Sequence, residues 1–176
     1  MKKIFLIGLP ALLIGIAIGV LGTIVVYPFI FPPPEVNEAL SDIEHKRKLF
    51  SAMFIHPNPS DTLHWGKGGV ALYEQDNRVE IFLQEDFEVG PGPNYWVYLS
   101  NDAGIVTRQA FRDATTFEIG KLKSFSGSQV YRVPESVDFS GLKSVAVWCK
   151  TFGQLITSAD LRVVDKEGKS DRQSQP

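Results

Sequence analysis

The chain has 176 residues, 11% of them aromatic, and its 18 basic and 20 acidic residues leave a net charge of −2. That balance argues against a nucleic-acid-binding protein, which needs a basic footprint. The single cysteine excludes an intrachain disulfide, so the fold must be stable without one.

At the N-terminus, Lys2 and Lys3 precede an uncharged run from Ile4 to Phe31 rich in Ile, Leu, Val, Gly and Ala. A helix crosses the hydrocarbon core with about 20 residues, so this run can span with tilt or with unused ends. It is too long for the apolar region of a signal peptide, no small-x-small cleavage pattern follows it cleanly, and no cysteine follows it closely enough for lipid attachment. Residues 1–31 therefore read as an uncleaved signal anchor. Tyr27 and Phe29 suit the far interface. Lys2 and Lys3 favour a cytoplasmic N-terminus, while His45, Lys46, Arg47 and Lys48 form a second basic group beyond the span. The expectation is a single-pass membrane protein with its N-terminus cytoplasmic and its domain extracytoplasmic, in a periplasmic or extracellular space. Gly15 and Gly19 make a GxxxG pair, a pattern that ordinary transmembrane composition also produces.

Pro32, Pro33 and Pro34 end the helix, because proline lacks an amide donor and restricts the residue before it. Residues 32–48 read as a proline-rich linker and short helical stalk. Within Glu35 to Phe50, Val36, Leu40, Ile43 and Arg47 recur at helical spacing, with Glu44 placed to pair with Lys48.

From Leu49 the pattern changes to short alternating runs separated by Gly, Pro, Asn and Asp clusters, which predicts an antiparallel β-sandwich-like domain over 49–165 and an all-β fold class. The expected strands are Leu49 to Ile55, Val70 to Glu74, Arg78 to Gln84, Tyr95 to Ser100, Thr116 to Ile119, Gln129 to Val133, Ser144 to Thr151 and Leu155 to Leu161. Asp76-Asn77 suits a tight hairpin, since both residue types tolerate left-handed backbone. Gly90 to Asn94, with two prolines, cannot continue a ladder and predicts a loop. The polar tail 166–176 predicts disorder.

The candidate site lies in Lys143 to Phe152. Val145, Val147 and Cys149 share one strand parity, and Ala146, Trp148 and Lys150 the other. Parity with the two valines predicts a buried Cys149, and burial in apolar surroundings suppresses the thiolate. A redox-active Cys149 would need to sit near a sheet end or loop crevice, with Lys150 or a loop amide lowering its pKa. Trp96, Tyr98 and Trp148 suit core and cross-strand packing. No hydrolase elbow, zincin motif, phosphate-binding glycine loop or cysteine pair occurs. His56, His64 and Cys149 have ligand types that suit copper or zinc, but no spacing requires a metal site and none is assigned. Glu85, Asp86 and Glu88 read as a solvated acidic cluster.

Four motifs in order carry a family resemblance: His64-Trp65-Gly66-Lys67-Gly68-Gly69-Val70, Gly92 to Ser100, Ser126 to Pro134, and Ser144 to Phe152 with its Trp148-Cys149 dipeptide. On these the stretch from Leu49 to Val164 resembles the DM-thirteen domain, a β-sandwich-like module also described as an electron-transfer domain. The resemblance implies a redox-active cysteine at Cys149 and a role in passing electrons across or near a membrane. It also implies a redox partner protein of cytochrome or flavin type, since this chain carries no cofactor-binding segment of its own and haem or flavin would come from that partner. The alternative reading is a non-enzymatic binding module that grips a partner with Phe87 to Asn94 and Gly120 to Ser128, leaving Cys149 as a core residue. A fold name alone does not decide between them.

Overall fold

The computed structural model describes residues 2–164, and the tail 166–176 lies outside the described residues. The first element, α1 (Lys2–Ile30), is a 29-residue helix, and its stretch Gly8–Ile30 is long and apolar enough to cross a membrane. Its large side chains, among them Leu12, Val20 and Ile24, are exposed, as suits a helix solvated by lipid. The Phe31 amide closes the last turn on the Tyr27 carbonyl at 2.8 Å, and the three prolines then end it.

The helical stalk expected over Glu35 to Phe50 is not formed. Residues 32–40 form neither helix nor strand, a 3-10 turn covers Ile43–His45, and the chain enters its first strand at Arg47. The backbone amides that a helix would have used internally are taken by the domain. Val36 N donates to Ser126 O and Glu38 N to Ser128 O, while the Ser128 hydroxyl donates to Glu38 O at 2.7 Å. Leu40 is buried against Ala71 and Tyr73, and Lys48 lies over the Tyr73 ring, 5.4 Å from its centroid. The apolar spacing at Val36 and Leu40 thus serves a strap laid on the domain.

The strands are β1 (Arg47–Met53), β2 (Gly66–Lys67), β3 (Gly69–Gln75), β4 (Arg78–Leu83), β5 (Glu88–Val89), β6 (Tyr95–Ser100), β7 (Thr116–Lys121), β8 (Gln129–Arg132), β9 (Ser144–Cys149), β10 (Gln154–Asp160) and β11 (Arg162–Val163). Each expected strand is present, with ends moved by a residue or two, and the two-residue strands β2, β5 and β11 are additional. Strands pair only antiparallel, in sheets ordered β11-β1-β3-β4-β8 and β10-β9-β6-β7 with a small β2-β5 ribbon. The domain is all-β. Asp76 and Asn77 both have positive φ, at 51° and 59°, between paired Gln75 and Arg78, which is the primed two-residue turn whose twist matches the strands it joins.

Leu72, Ile81 and Leu83 from the first sheet and Val97, Leu99, Val145 and Val147 from the second share one buried cluster. This is the alternation of apolar parity delivering one face of each sheet to a common core. The second sheet is covered on its other face as well. There a short helix, α2 (Arg108–Asp113), starts where the Thr107 side chain accepts the Ala110 amide, and it sets Phe111 onto Trp148 and Tyr98. Strand β9 is therefore buried along its whole length on both sides.

Candidate functional site

Cys149 is the last residue of β9, opposite Tyr95 at the first residue of β6 and Gln154 at the first of β10. Register thus places the sulfur on the interior face at the end of the second sheet, where the strand gives way to a turn. Only 2% of the residue is accessible. Its thiol donates to the Pro93 carbonyl at 3.1 Å, so the loop Gly90 to Asn94 forms the lid over the sulfur. Burial pushes the thiol pKa up, while the Phe152 and Thr151 amides of the following turn act in the opposite direction and are outweighed. Parity buries the residue and the strand end brings it beside a loop, but the lowered pKa expected of a redox-active thiol is not found, because burial outweighs the turn amides.

Lys150 does not reach the sulfur. The alternation of β9 turns it to the other side, where its ammonium meets Glu118 at 2.5 Å and lies over the Trp96 ring, 3.5 Å from the centroid. Glu118 also accepts the Tyr98 hydroxyl at 2.9 Å. The Lys150 hydrogen bond, opposed by some burial and helped by Tyr98, holds the Glu118 carboxyl below its usual range. Burial first, and then the Glu118 carboxylate, raise the Tyr98 phenol. On the same outer face Phe111 stacks on Trp148 with centroids 4.1 Å apart and meets Tyr98 edge-on at 5.2 Å. Tyr98 and Trp148 are core residues of this smaller cluster, with Trp96 half-buried at its margin.

Tyr95 is the neighbour of Cys149 that strand spacing did not single out. It is 4% accessible, it packs edge-on against Phe125 at 5.8 Å, and a Cβ on Gly92 would fall 2.1 Å from its hydroxyl. Burial, and then the charges of Cys149 and Asp61, push its phenol well above the ordinary range. Only the β6–β9 pairing brings Tyr95 and Cys149, more than fifty residues apart in the chain, together.

The histidines do not join the cysteine. His64 Nδ1 lies 2.7 Å from the Asp61 carboxylate and His56 Nε2 lies 2.7 Å from the Asp61 backbone oxygen. Partial burial works to raise the Asp61 carboxyl, yet hydrogen bonds from the His64 side chain and backbone and from the Leu63 amide outweigh it and keep it low. Among the described residues, no three His, Cys, Asp or Glu side chains converge as metal ligands would. Glu85 and Asp86 are exposed and Glu88 is partly so; Asp86 Oδ1 accepts the Gly69 amide, and Glu88 pairs with Lys67 at 2.7 Å. The acidic cluster therefore has structural duties on the β2-β5 side.

A cavity of about 840 Å³ lies between α1 and the Cys149 end of the domain, walled on the domain side by Gly92 to Tyr95 and by Lys121, Leu122, Lys123 and Phe125. Pro93, whose carbonyl holds the cysteine thiol, belongs to that wall. The sulfur is thus one residue's thickness from the space beside the helix.

No curated protein and no solved structure matches the chain. A protein-family model does, the one described as Electron transfer DM13, over residues 59–161, which takes in β2 through β10 and so Tyr95, Trp148 and Cys149. With more than half of its length covered by that match, the chain belongs to the Electron transfer DM13 family.

Proposed function

We propose that this chain is a membrane-anchored, extracytoplasmic electron-transfer domain acting through Cys149, and that it exchanges electrons with a redox partner protein of cytochrome or flavin type. The observation that carries the reading is the placement of Cys149. The thiol is held under a surface loop by the Pro93 carbonyl, with the amides of Thr151 and Phe152 directed at the sulfur and Tyr95 beside it. Those amides favour the thiolate once the lid lifts and water lessens the cost of the charge. A single thiol then works by exchange. Its sulfur bonds to one sulfur of a partner's disulfide and the other partner sulfur leaves as a thiolate that takes the thiol proton; a donor dithiol then attacks the Cys149 sulfur, freeing the second partner thiol, and closes its own disulfide to release Cys149 as a thiol, so that two electrons and two protons pass from donor to partner.

Lys2 and Lys3 at the start of α1 support a cytoplasmic N-terminus. The opposing basic group is engaged within the folded domain, with Lys46 on Glu80 at 2.6 Å and Arg47 on Glu74 at 3.1 Å. The deep burial of Cys149 favours a second reading, a binding module in which the cysteine is a core residue.

The test is the rate of Cys149 alkylation across a pH series in the full chain held in lipid nanodiscs, run beside the same protein in denaturant. Electron transfer through the thiol predicts measurable labelling of the folded protein and loss of electron exchange in Cys149→Ser. Labelling only after global unfolding, with exchange unchanged in Cys149→Ser, would remove the cysteine from the mechanism and leave the binding module.

A further inference from the structure

From the cavity beside α1 we infer a binding site for a lipid-phase carrier of the quinone class, a carbonyl-bearing ring on an apolar chain. The carrier's role rests on the electron-transfer reading above, whereas the site itself rests on geometry. The volume of about 840 Å³ falls within the range of small-molecule pockets. One wall is the apolar side of α1, including Ile16, Val20 and Ile24, and the other is the end of the domain.

The chain's connectivity keeps this end of the domain at the membrane. Four residues, Pro32 to Glu35, separate Phe31 from Val36, whose amide is bonded to Ser126 O. The five steps from Phe31 to Val36 reach about 18 Å at most. The helix itself has 29 residues, so at 1.5 Å each it is about 43 Å long against a hydrocarbon core of about 30 Å. Its last turns therefore stand at the interface, and the groove runs from lipid-facing Ile16 up to the domain.

Several polar groups at the domain end are hydrogen-bond donors without a protein acceptor among the described residues. Asn94 Oδ1 is occupied by the Trp96 indole N–H at 2.8 Å, which leaves the amide N–H groups of Asn94 free among the described residues. The Pro93 carbonyl is occupied by the Cys149 thiol, and the Glu38 carboxylate by Lys123 and Val130. Among the described residues neither the Tyr95 hydroxyl nor the Lys121 ammonium has a protein acceptor. Such a set suits a ligand that presents acceptor oxygens. Tyr95 is only 4% accessible and packs edge-on against Phe125, so a neutral carbonyl reaches it at far lower desolvation cost than a phosphate would. A ring with carbonyl oxygens on an apolar tail meets both the donors and the helix wall.

The experiment uses the full chain in phosphatidylcholine nanodiscs and an azido-benzoquinone bearing a decyl chain as photolabel, with labelled positions read by mass spectrometry. The expected labels fall in Gly92 to Tyr95 or Lys121 to Phe125 and on the facing side of α1, and unlabelled decylbenzoquinone removes them. Gly19 lines the groove and a Cβ there meets nothing within 4 Å, so Gly19→Leu fills the space without a clash and should cut labelling at least tenfold. Lys121→Ala should cut it about threefold. Equal labelling in wild type and Gly19→Leu, or labels displaced as well by phosphatidylglycerol as by the quinone, would overturn the proposal; the second result would make the groove a phospholipid site. Failure of the two readings is separable through Cys149→Ser. Specific labelling with electron exchange unaffected by that variant removes the cysteine reading alone, and exchange that depends on Cys149 without specific labelling removes the quinone site alone.

Discussion

Replacing Glu38 with alanine tests whether the strap after the membrane helix is part of the domain. Strand β8 is the last of its sheet, and an edge strand presents unpaired amides. Glu38 covers that edge: its Oε2 accepts the Val130 amide at 2.7 Å and both carboxylate oxygens meet the Lys123 ammonium, at 2.6 and 2.8 Å. A hydrogen bond from an amide to a charged acceptor contributes about 1.5–3 kcal/mol. The ion pair, with both side chains more than a third exposed, adds no more than about 1 kcal/mol. Because the freed Val130 amide can be partly rehydrated, the lower part of the range applies, and Glu38→Ala should cost about 2 kcal/mol. The assay is urea unfolding of the full chain in detergent micelles, followed by tryptophan fluorescence; all three tryptophans lie in the β domain. The effect also has a pH signature. Partial burial works to raise the Glu38 carboxyl above its ordinary value of 4.5, but the Lys123 hydrogen bond and charge and the Val130 amide outweigh it and leave it lowered. A depressed carboxyl contributes stability that is fully present above the unfolded value and is lost as pH falls through the folded one. The gap between wild type and variant should therefore be full at pH 7 and should narrow below the ordinary value of 4.5. A difference under about 0.5 kcal/mol at pH 7, or one that does not change with acid, would refute the strap's role.

The outer aromatic cluster predicts that Phe111→Ala, which removes a ring stacked on Trp148, destabilises by about 3 kcal/mol and alters the near-ultraviolet circular dichroism. Because Phe111 and Cys149 lie on opposite faces of β9, cysteine labelling of the folded variant should stay close to wild type. Gly68 has φ of +92° and a Cβ there would lie 2.3 Å from the Asp86 carbonyl oxygen, so Gly68→Ala should cost more than about 2 kcal/mol in the same unfolding assay. Gly104 has φ of +70° with nothing within 4 Å, and Gly104→Ala should cost only the backbone part, about 1 kcal/mol. Equal costs at the two positions would contradict the packing described for the turn at Gly68.

The strands were legible because each carries its own local signal. Val70 to Glu74 and Arg78 to Gln84 flank a two-residue turn whose residues accept positive φ, and that pair alone sets the hairpin register. The stretch Glu35 to Phe50 misled because Val36, Leu40 and Ile43 fit helical spacing, while the competing partners, Ser126, Ser128 and Val130, lie some ninety residues away. Tertiary hydrogen bonds overrode a local period. The same division runs through the site. The parity of Val145, Val147 and Cys149 foretold which way the sulfur points, and the loop residues Gly90 to Asn94 were recognisable as a loop. Which loop would cover the sulfur, and that Tyr95 would stand beside it, depended on β6 pairing with β9. Of the two groups that could lower the thiol pKa, Lys150 or a loop amide, Lys150 turns away for a reason already in the sequence, since its parity is opposite to that of Cys149.

The geometry of that lid decides what limits any chemistry at Cys149. Gly90 is jammed, a Cβ there falling 2.4 Å from the Leu63 carbonyl oxygen, and Gly92 is held as closely against Tyr95. Asn94 completes the loop in left-handed backbone at φ of 60°, with its side chain tied to Trp96 and its carbonyl accepting the Lys150 amide. A loop fixed at so many points does not uncover the sulfur by side-chain motion alone; it must open as a unit. The rate at which Cys149 meets a reagent is then the product of two quantities, the fraction of molecules with Gly90 to Asn94 open and the thiolate fraction in that open state. The first responds to loop packing and the second to pH, so the two can be varied independently. Gly92→Ala, which forces Tyr95 aside, should raise the labelling rate without moving its pH midpoint. A shifted midpoint at unchanged plateau rate would mean instead that the loop tunes the thiol itself, and that the Pro93 carbonyl is an electrostatic partner of Cys149 more than a lid.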